Sequence, residues 1–216
     1  MKRRDLKIDK LPTIRRLPAY LNLLRELSIK GEQTVSSSHL AERMGIEPIL
    51  VRKDLELTRI TGTPRIGYSI QDLIGGIEGF LGLGDTLDAF LIGVGQLGSS
   101  LLSNQNLMNL GLRIVAAFDK EPQKSRSEAN GIPVFGLERL GELARRINVC
   151  LAILCVQPEE AQDVTDILVA AGVKGIWNFT SANLVVPDDV ITQNEDLSSG
   201  FAVLSVKMTK RKMAAH

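Results

Sequence analysis

Ala89-Phe-Leu-Ile-Gly-Val-Gly-Gln-Leu-Gly98 is the stretch on which the fold turns. An apolar run meets glycines spaced G-x-G-x-x-G, at Gly93, Gly95 and Gly98, and a helix-compatible segment follows from about Ser99. In that order Gly93 makes a tight turn, Gly95 lets backbone approach a pyrophosphate, and Gly98 permits close packing of the helix. A helix starting here offers unpaired N–H groups and a positive partial charge to phosphates. Asp119 follows the next apolar run, Leu112-Arg-Ile-Val-Ala-Ala-Phe118, and lies 21 residues after Gly98. A carboxylate at that place accepts hydrogen bonds from an adenosine ribose and repels a 2′-phosphate, which favours NAD over NADP. Lys120 and Lys124 stand near it in sequence and weigh the other way. The bland alternative is a glycine-rich turn with a capping Asp119 and no ligand.

Downstream the same rhythm continues. A helix is expected from about Gly136, a strand over Val149-Cys-Leu-Ala-Ile-Leu-Cys-Val156, a helix from Pro158 to Ala171, and a strand over Gly175-Ile-Trp-Asn-Phe179. Strands without polar alternation, separated by amphipathic helices, predict a parallel sheet covered on both faces, an α/β fold. Cys150 and Cys155 share one strand at odd spacing, on opposite faces, so they are expected to be core residues without a mutual disulfide. A last helix is expected over Leu197 to Met213, ending in Lys207, Lys210, Arg211 and Lys212.

Upstream the pattern is helical. Residues 1 to 13, ending in Leu11-Pro12, are expected to form a loose arm, with Arg15 and Arg16 ahead of the first helix. Leu17, Tyr20, Leu21, Leu24 and Leu27 then give one apolar stripe, which Gly31 ends. Ser37 or Ser38 can cap a second helix carrying Leu40, Ala41 and Met44, ended by Gly45, and Pro48 suits the first turn of a third helix running to about Thr58. Thr61-Gly-Thr-Pro-Arg-Ile-Gly-Tyr-Ser-Ile70 predicts a short hairpin tipped by Arg65, and a further helix runs from about Ile70 to Phe80. Three helices plus such a hairpin make a winged helix. Leu81-Gly-Leu-Gly84 marks the boundary.

Charge divides at the same place. The 216 residues carry 26 Lys and Arg against 25 Asp and Glu, but residues 1–70 hold 14 against 8 and the rest 12 against 17. A basic module that meets a polyanion, joined to an acidic module with another role, accounts for this. Val51 and Leu55 can face the core of the third helix and leave Arg52, Lys53 and Arg59 exposed, where they reach base edges or phosphates. The expected DNA-facing set is Arg15, Arg16, Ser36, Ser37, Ser38, Arg52, Lys53, Arg59, Arg65 and Tyr68, with His39 an exposed helix residue beside it.

Other chemistries find little support. The histidines are His39 and His216 and the tyrosines Tyr20 and Tyr68, so the acidic module has none of either short of its last residue to serve hydride transfer. The lysines Lys120, Lys124 and Lys174 fall near strand ends or turns. No Cys/His cluster suggests a metal and no Ser-His-Asp set can be assembled, so no catalytic residue is expected. No apolar run approaches the ~18 residues of a membrane span, and the N-terminus lacks the apolar core of a signal peptide, which gives a cytoplasmic expectation.

These residues resemble a family. Thr13-Ile-Arg-Arg-Leu-Pro-Ala-Tyr-Leu21, Val35-Ser-Ser-Ser-His-Leu-Ala-Glu42, Val51-Arg-Lys-Asp-Leu55, Ile92-Gly-Val-Gly-Gln-Leu-Gly98, Val115-Ala-Ala-Phe-Asp119 and Ala170-Ala-Gly-Val-Lys-Gly-Ile-Trp-Asn-Phe179 are similar to the Rex family of bacterial redox-sensing repressors. The resemblance, over residues 13 to 205, implies a homodimer that binds palindromic, double-stranded operator DNA through winged helices and senses NADH and NAD+ in Rossmann domains, NADH releasing DNA. It implies a winged-helix domain at 1–82, a Rossmann domain at 86–192, and a C-terminal helix at 193–216 exchanged between subunits. The cofactor set it implies is Gly93, Val94, Gly95, Gln96, Leu97, Gly98, Asp119 and Lys120, with Cys155, Val156, Asn178 and Phe179 toward the nicotinamide. The chain departs from the family at Asn22, where Arg is common, and around Gln105, where a Tyr is usual; with Asp196 these positions form the family's switch network. Those departures leave room for a DNA-binding regulator that has lost the NADH response, and a dehydrogenase or a coenzyme A binder are further alternatives.

Overall fold

The computed structural model describes residues 10–84, 86–121 and 128–213. The chain divides into two compact units between Thr86 and Leu87.

The first unit is built on α1 (Leu11–Ile29), which buries Leu17, Tyr20, Leu21, Leu24 and Leu27. It starts at Leu11, inside the segment expected to be an arm, because Pro12 fits a first helical turn, where its missing N–H costs nothing. Arg15 and Arg16 are therefore within the helix. After β1 (Thr34–Val35) come α2 (Ser37–Met44) and α3 (Pro48–Leu55). The cap of α2 is Ser36, whose hydroxyl accepts the His39 N–H, and not Ser37 or Ser38. Gly45 ends α2 at φ 65°, and α3 tightens into a 3-10 turn over Glu56–Thr58. The segment after it is the expected short hairpin, with Thr63 and Gly67 bridged antiparallel and Arg65 at the tip. Its continuation β2 (Tyr68–Ser69) pairs antiparallel with β1, so the wing is held by a strand from before α2. Gly67 sits at φ 100° against the Val35 carbonyl, leaving no room for a side chain. The unit closes with α4 (Ile70–Leu81), capped by Ser69.

In the second unit β3 (Leu87–Ile92), β4 (Leu112–Asp119), β7 (Leu151–Leu154), β8 (Gly175–Asn178) and β9 (Ile191–Asn194) run parallel, with β6 (Ile132–Gly136) beyond β4 and the short β5 (Glu128–Ala129) antiparallel at the edge. The order is β5-β6-β4-β3-β7-β8-β9. Leaving β5 aside this is the doubly wound order of a Rossmann sheet, whose switch point lies between β3 and β7. Helices α5 (Gln96–Leu102) and α6 (Gln105–Asn109) follow β3, α7 (Leu140–Ile147) follows β6, and α8 (Ala161–Ala170) follows β7. Apolar residues of the strands alternate between two cores. Phe90, Phe118 and Leu154 pack with Leu143 and Leu168 from α7 and α8, while Leu91, Ala117 and Ile153 pack with Leu101 and Leu102 from α5. The chain ends in α9 (Leu197–Met213), along which Phe201, Leu204 and Met208 are exposed.

Four expectations change here. Helix α5 begins at Gln96, three residues before Ser99, because Gly95 itself is the cap. Gly136 ends a strand that was not expected, the Ile132-Pro-Val-Phe run being too short to announce itself, and caps the 3-10 turn Leu137–Arg139 that runs into α7. The run Val149–Val156 contributes only Leu151–Leu154 to the sheet. Cys150 and Cys155 therefore fall outside the strand ends, the first exposed, the second half-buried, both with free thiols. Among the described residues no helix is long and apolar enough to cross a membrane.

Candidate functional site

The second unit presents a cleft at the carboxyl ends of β3, β4 and β7, where open α/β sheets bind ligands. Gly93, Gly95, Asp119, Lys120, Glu121, Leu137, Cys155, Val156, Gln157 and Glu160 line it. Gly93 has φ 94°, and a Cβ there would lie 2.5 Å from the Cys155 carbonyl oxygen. A Cβ on Gly98 would run into the Gly93 carbonyl, whereas one on Gly95 would meet nothing within 4 Å. Two glycines thus serve close backbone approach within the protein, and the third leaves open space above the helix start. That pattern fits a phosphate approaching the Gly95 backbone, which no side chain caps. Asp119 is buried, with one oxygen accepting the Val94 N–H at 2.7 Å and the other the Glu121 N–H at 3.0 Å. The carboxylate that ends β4 is thereby fixed against the glycine loop that ends β3.

Val94 and Gly98 are buried behind this rim, while Gln96 and Leu97 are exposed on α5. Lys120 Nζ reaches Glu160 Oε1 at 2.5 Å. Burial pushes the Cys155 thiol up to about 12, so it is a neutral lining group. Asn178 and Phe179 are not among the lining residues. Asn178 is fully buried, donating to the Ala182 carbonyl and Asn194 Oδ1 and accepting from Thr180 N–H and Oγ1, so its amide organises the loop after β8. Phe179 packs on Trp177, ring centroids 4.8 Å apart, and borders a second hollow with Asn194 and Asp196. Glu121, Leu137, Gln157 and Glu160 were missed from the sequence. Glu121 and Leu137 closely follow a strand's end, a place that could have signalled them, whereas Glu160 stands six residues beyond β7 and has no such signal. Lys124 lies outside the described residues, as does His216.

In the first unit α3 buries Val51 and Leu55 and leaves Arg52 and Lys53 exposed. Arg15, Ser36, Ser38, Arg59 and Arg65 are exposed as well, with Ser37 and Tyr68 half-buried. Arg59 and Arg65 hold φ values of 60° and 64°, the first at the end of the 3-10 turn and the second in the middle of the turn between Thr63 and Gly67. The Tyr68 ring lies over Gly62, where a Cβ would come within 3.0 Å of it. Arg16 is turned inward, against expectation. Its Nε and Nη2 each donate at 2.7 Å to Asp54, which is fully buried and also accepts from Thr13 Oγ1 at 2.8 Å and Tyr20 OH at 3.1 Å. Burial alone would raise the Asp54 carboxyl, but these hydrogen bonds and the Arg16 charge outweigh it and hold it below the usual carboxylate range. Burial, with Asp54 beside it, pushes the Tyr20 hydroxyl up. Arg16 is thus a structural cation that fixes the third helix to the first. His39 is half-buried and not exposed, its Nε2 enclosed without a hydrogen-bond partner.

The expected switch residues lie on three separate elements. Asn22 is exposed on α1, Gln105 donates to Asn109 within α6, and Asp196 accepts from Ser198 at the start of α9. Lys207, Lys210 and Arg211 are exposed on α9; the Lys212 side chain is outside the described set. Among the described residues no group of three His, Cys, Asp or Glu side chains is placed to hold a metal ion. Lys174, the other lysine weighed for chemistry, pairs with Asp189.

Residues 11–56 match the family described as "Putative DNA-binding protein N-terminus", and residues 85–182 that described as "CoA binding domain". The chain is 43% identical over 206 residues to the redox-sensing transcriptional repressor Rex of Treponema denticola, covering 95% of this chain and 98% of that one. It is 31% identical to RSP in its crystal structure with β-NAD+ and operator DNA, at a TM-score of 0.83 and 96% coverage of both chains. The structure of RSP with β-NADH gives the same identity and TM-score, covering 96% of this chain and 98% of that one.

Proposed function

The chain belongs to the Rex family of redox-sensing transcriptional repressors, and from that membership we propose that its cleft reads NADH against NAD+ while its first unit holds operator DNA. It is a repressor and not an enzyme, as its relatives are transcriptional repressors. The observation that carries the cofactor reading is the Asp119 carboxylate locked to the Val94 N–H beside the open face of Gly95. In this reading the loop from Gly93 to Gly98 holds the pyrophosphate, Asp119 the adenosine ribose, and Cys155 and Val156 flank the nicotinamide half. Asn178 positions the loop after β8, and Phe179 stands behind it. The cofactor supplies a nicotinamide whose two redox states differ in charge and planarity.

Arg52 and Lys53 on α3, with Arg15, Arg59 and Arg65, contact the DNA; Ser36 and Ser38 stand at the start of α2 for phosphate contact. Two copies bind one operator, and the exposed stripe of α9 is covered by the other subunit. The repressor works in the cytoplasm, with residues 1–82 as its DNA-binding domain, 86–192 as its sensor and 193–216 as the dimer helix. Coenzyme A, suggested by the family name for residues 85–182, suits the site less well: its ribose carries a phosphate, and the acidic Asp119 would face it.

Operator titrations in the presence of NADH and of NAD+ test this. NADH should weaken operator binding, and operator should weaken NADH binding by the same factor. Equal operator affinity with and without NADH would leave a DNA-binding protein whose sensor has been lost, the outcome that Asn22 and Gln105 favour.

A further inference from the structure

The Lys120–Glu160 pair has no part in the reading above. Lys120 directly follows Asp119 at the end of β4, and Glu160 ends the 3-10 turn ahead of α8, 40 positions further along the chain. Their side chains meet at 2.5 Å, both lining the cleft that Gly93, Gly95 and Asp119 line. Glu121 lines it too. Among the described lining residues the Asp119 and Glu160 carboxylates thus stand on either side of one ammonium, that of Lys120. The hydrogen bond and charge of Glu160 hold the Lys120 ammonium above the ordinary lysine range, with smaller help from Asp119 and Glu121.

A cation one residue past the ribose-reading acid is the kind of group that accommodates a 2′-phosphate in this fold. From sequence alone Lys120 softens the preference for NAD over NADP that Asp119 sets. The structure alters that balance, because the lysine's charge is answered by a carboxylate from the far side of the cleft. We propose that Glu160 is a specificity residue: by engaging Lys120 it keeps the adenosine end of the cleft negative and excludes dinucleotides that carry a phosphate on the adenosine ribose. The inference rests on the dinucleotide reading of the cleft. Lys120 and Glu160 are both partly solvent-exposed, 56% and 34% at the side chain, so the discrimination is screened by salt and is strongest at low ionic strength.

The test titrates NADH and NADPH into the full-length protein by ligand fluorescence at low salt, for wild type, Glu160→Gln and the double variant Lys120→Gln/Glu160→Gln. Glu160→Gln removes one carboxylate and releases the ammonium, so the ratio of the NADPH to the NADH dissociation constant should fall about tenfold. The double variant should lose that gain, since the released cation is gone. Raising the salt to about 0.5 M should shrink the difference. An unchanged ratio in Glu160→Gln, with NADH still bound, overturns the proposal and leaves the NAD site standing. A gain that persists in the double variant overturns it as well, because the effect would then owe nothing to Lys120. Failure of the wild type to bind NADH removes the site reading and this inference together.

Discussion

Gly95→Val separates the cofactor site from the fold. A side chain at Gly95 enters open space, and the residue's φ of −72° is one that any L-residue adopts. The cost to folding is that of replacing a glycine helix cap by valine, about 1 kcal/mol. For a unit of this size that lowers Tm by about 3–6 °C. Binding loses far more. Valine occupies the space through which a phosphate reaches the backbone, and each charge-assisted hydrogen bond there contributes about 1.5–3 kcal/mol. Two such bonds lost weaken NADH by at least about 100-fold. The assay pairs an NADH fluorescence titration with a thermal melt. Gly98→Ala is the contrast, since its Cβ meets the Gly93 carbonyl and should unsettle the fold itself. An NADH dissociation constant within threefold of wild type in a folded Gly95→Val protein would refute the placement of the pyrophosphate.

Asp54→Asn should destabilise the first unit by about 3 kcal/mol at pH 7, because the Arg16 guanidinium loses its buried counter-charge. The Asp54 carboxyl is held low in the folded state, so its stabilisation is complete above about pH 4 and fades as pH falls through the lower folded value. Hydrogen exchange in residues 11–81 should show that acid slope in wild type and not in the variant; a shared slope would remove Asp54 as its source. Arg52→Ala and Lys53→Ala should each weaken operator binding and lower the slope of log affinity against log salt by about 0.9 per phosphate contact removed. Arg16→Ala should instead show itself as lost stability, and a reduced salt slope with unchanged stability would move Arg16 onto the DNA. At pH 8 iodoacetamide should label the exposed Cys150 quickly and Cys155 slowly, since burial pushes that thiol up to about 12. Equal rates at the two cysteines would contradict this.

The sheet was legible where the sequence is long and apolar. Ala89 to Ile92 and Leu112 to Phe118 could be nothing but buried strands, and the glycine spacing located the turn between sheet and helix. Elements of a few residues escaped. Ile132 to Gly136 and Ile191 to Asn194 are stabilised by neighbours in the sheet and carry little pattern of their own. The same limit applied to the cleft. Gly93, Gly95 and Asp119 sit in a recognisable motif, but Glu160 joins them only because β3 and β7 are adjacent, which no local pattern encodes. Arg16 was misplaced for a related reason. A lysine or arginine on a polar helix face looks solvated until the chain brings Asp54 to it from 38 residues away.

Asp119 accepts one backbone hydrogen bond at each carboxylate oxygen, which fixes its orientation and leaves further lone pairs for a sugar. Holding a side chain still is an entropic cost, and here it falls on folding instead of on association. On the dinucleotide reading, that carboxylate is thus already placed when a nucleotide arrives, and binding need not order it. In the same reading the adenosine that Asp119 would meet is identical in NADH and NAD+, so the redox state has to be read at the other end of the cofactor.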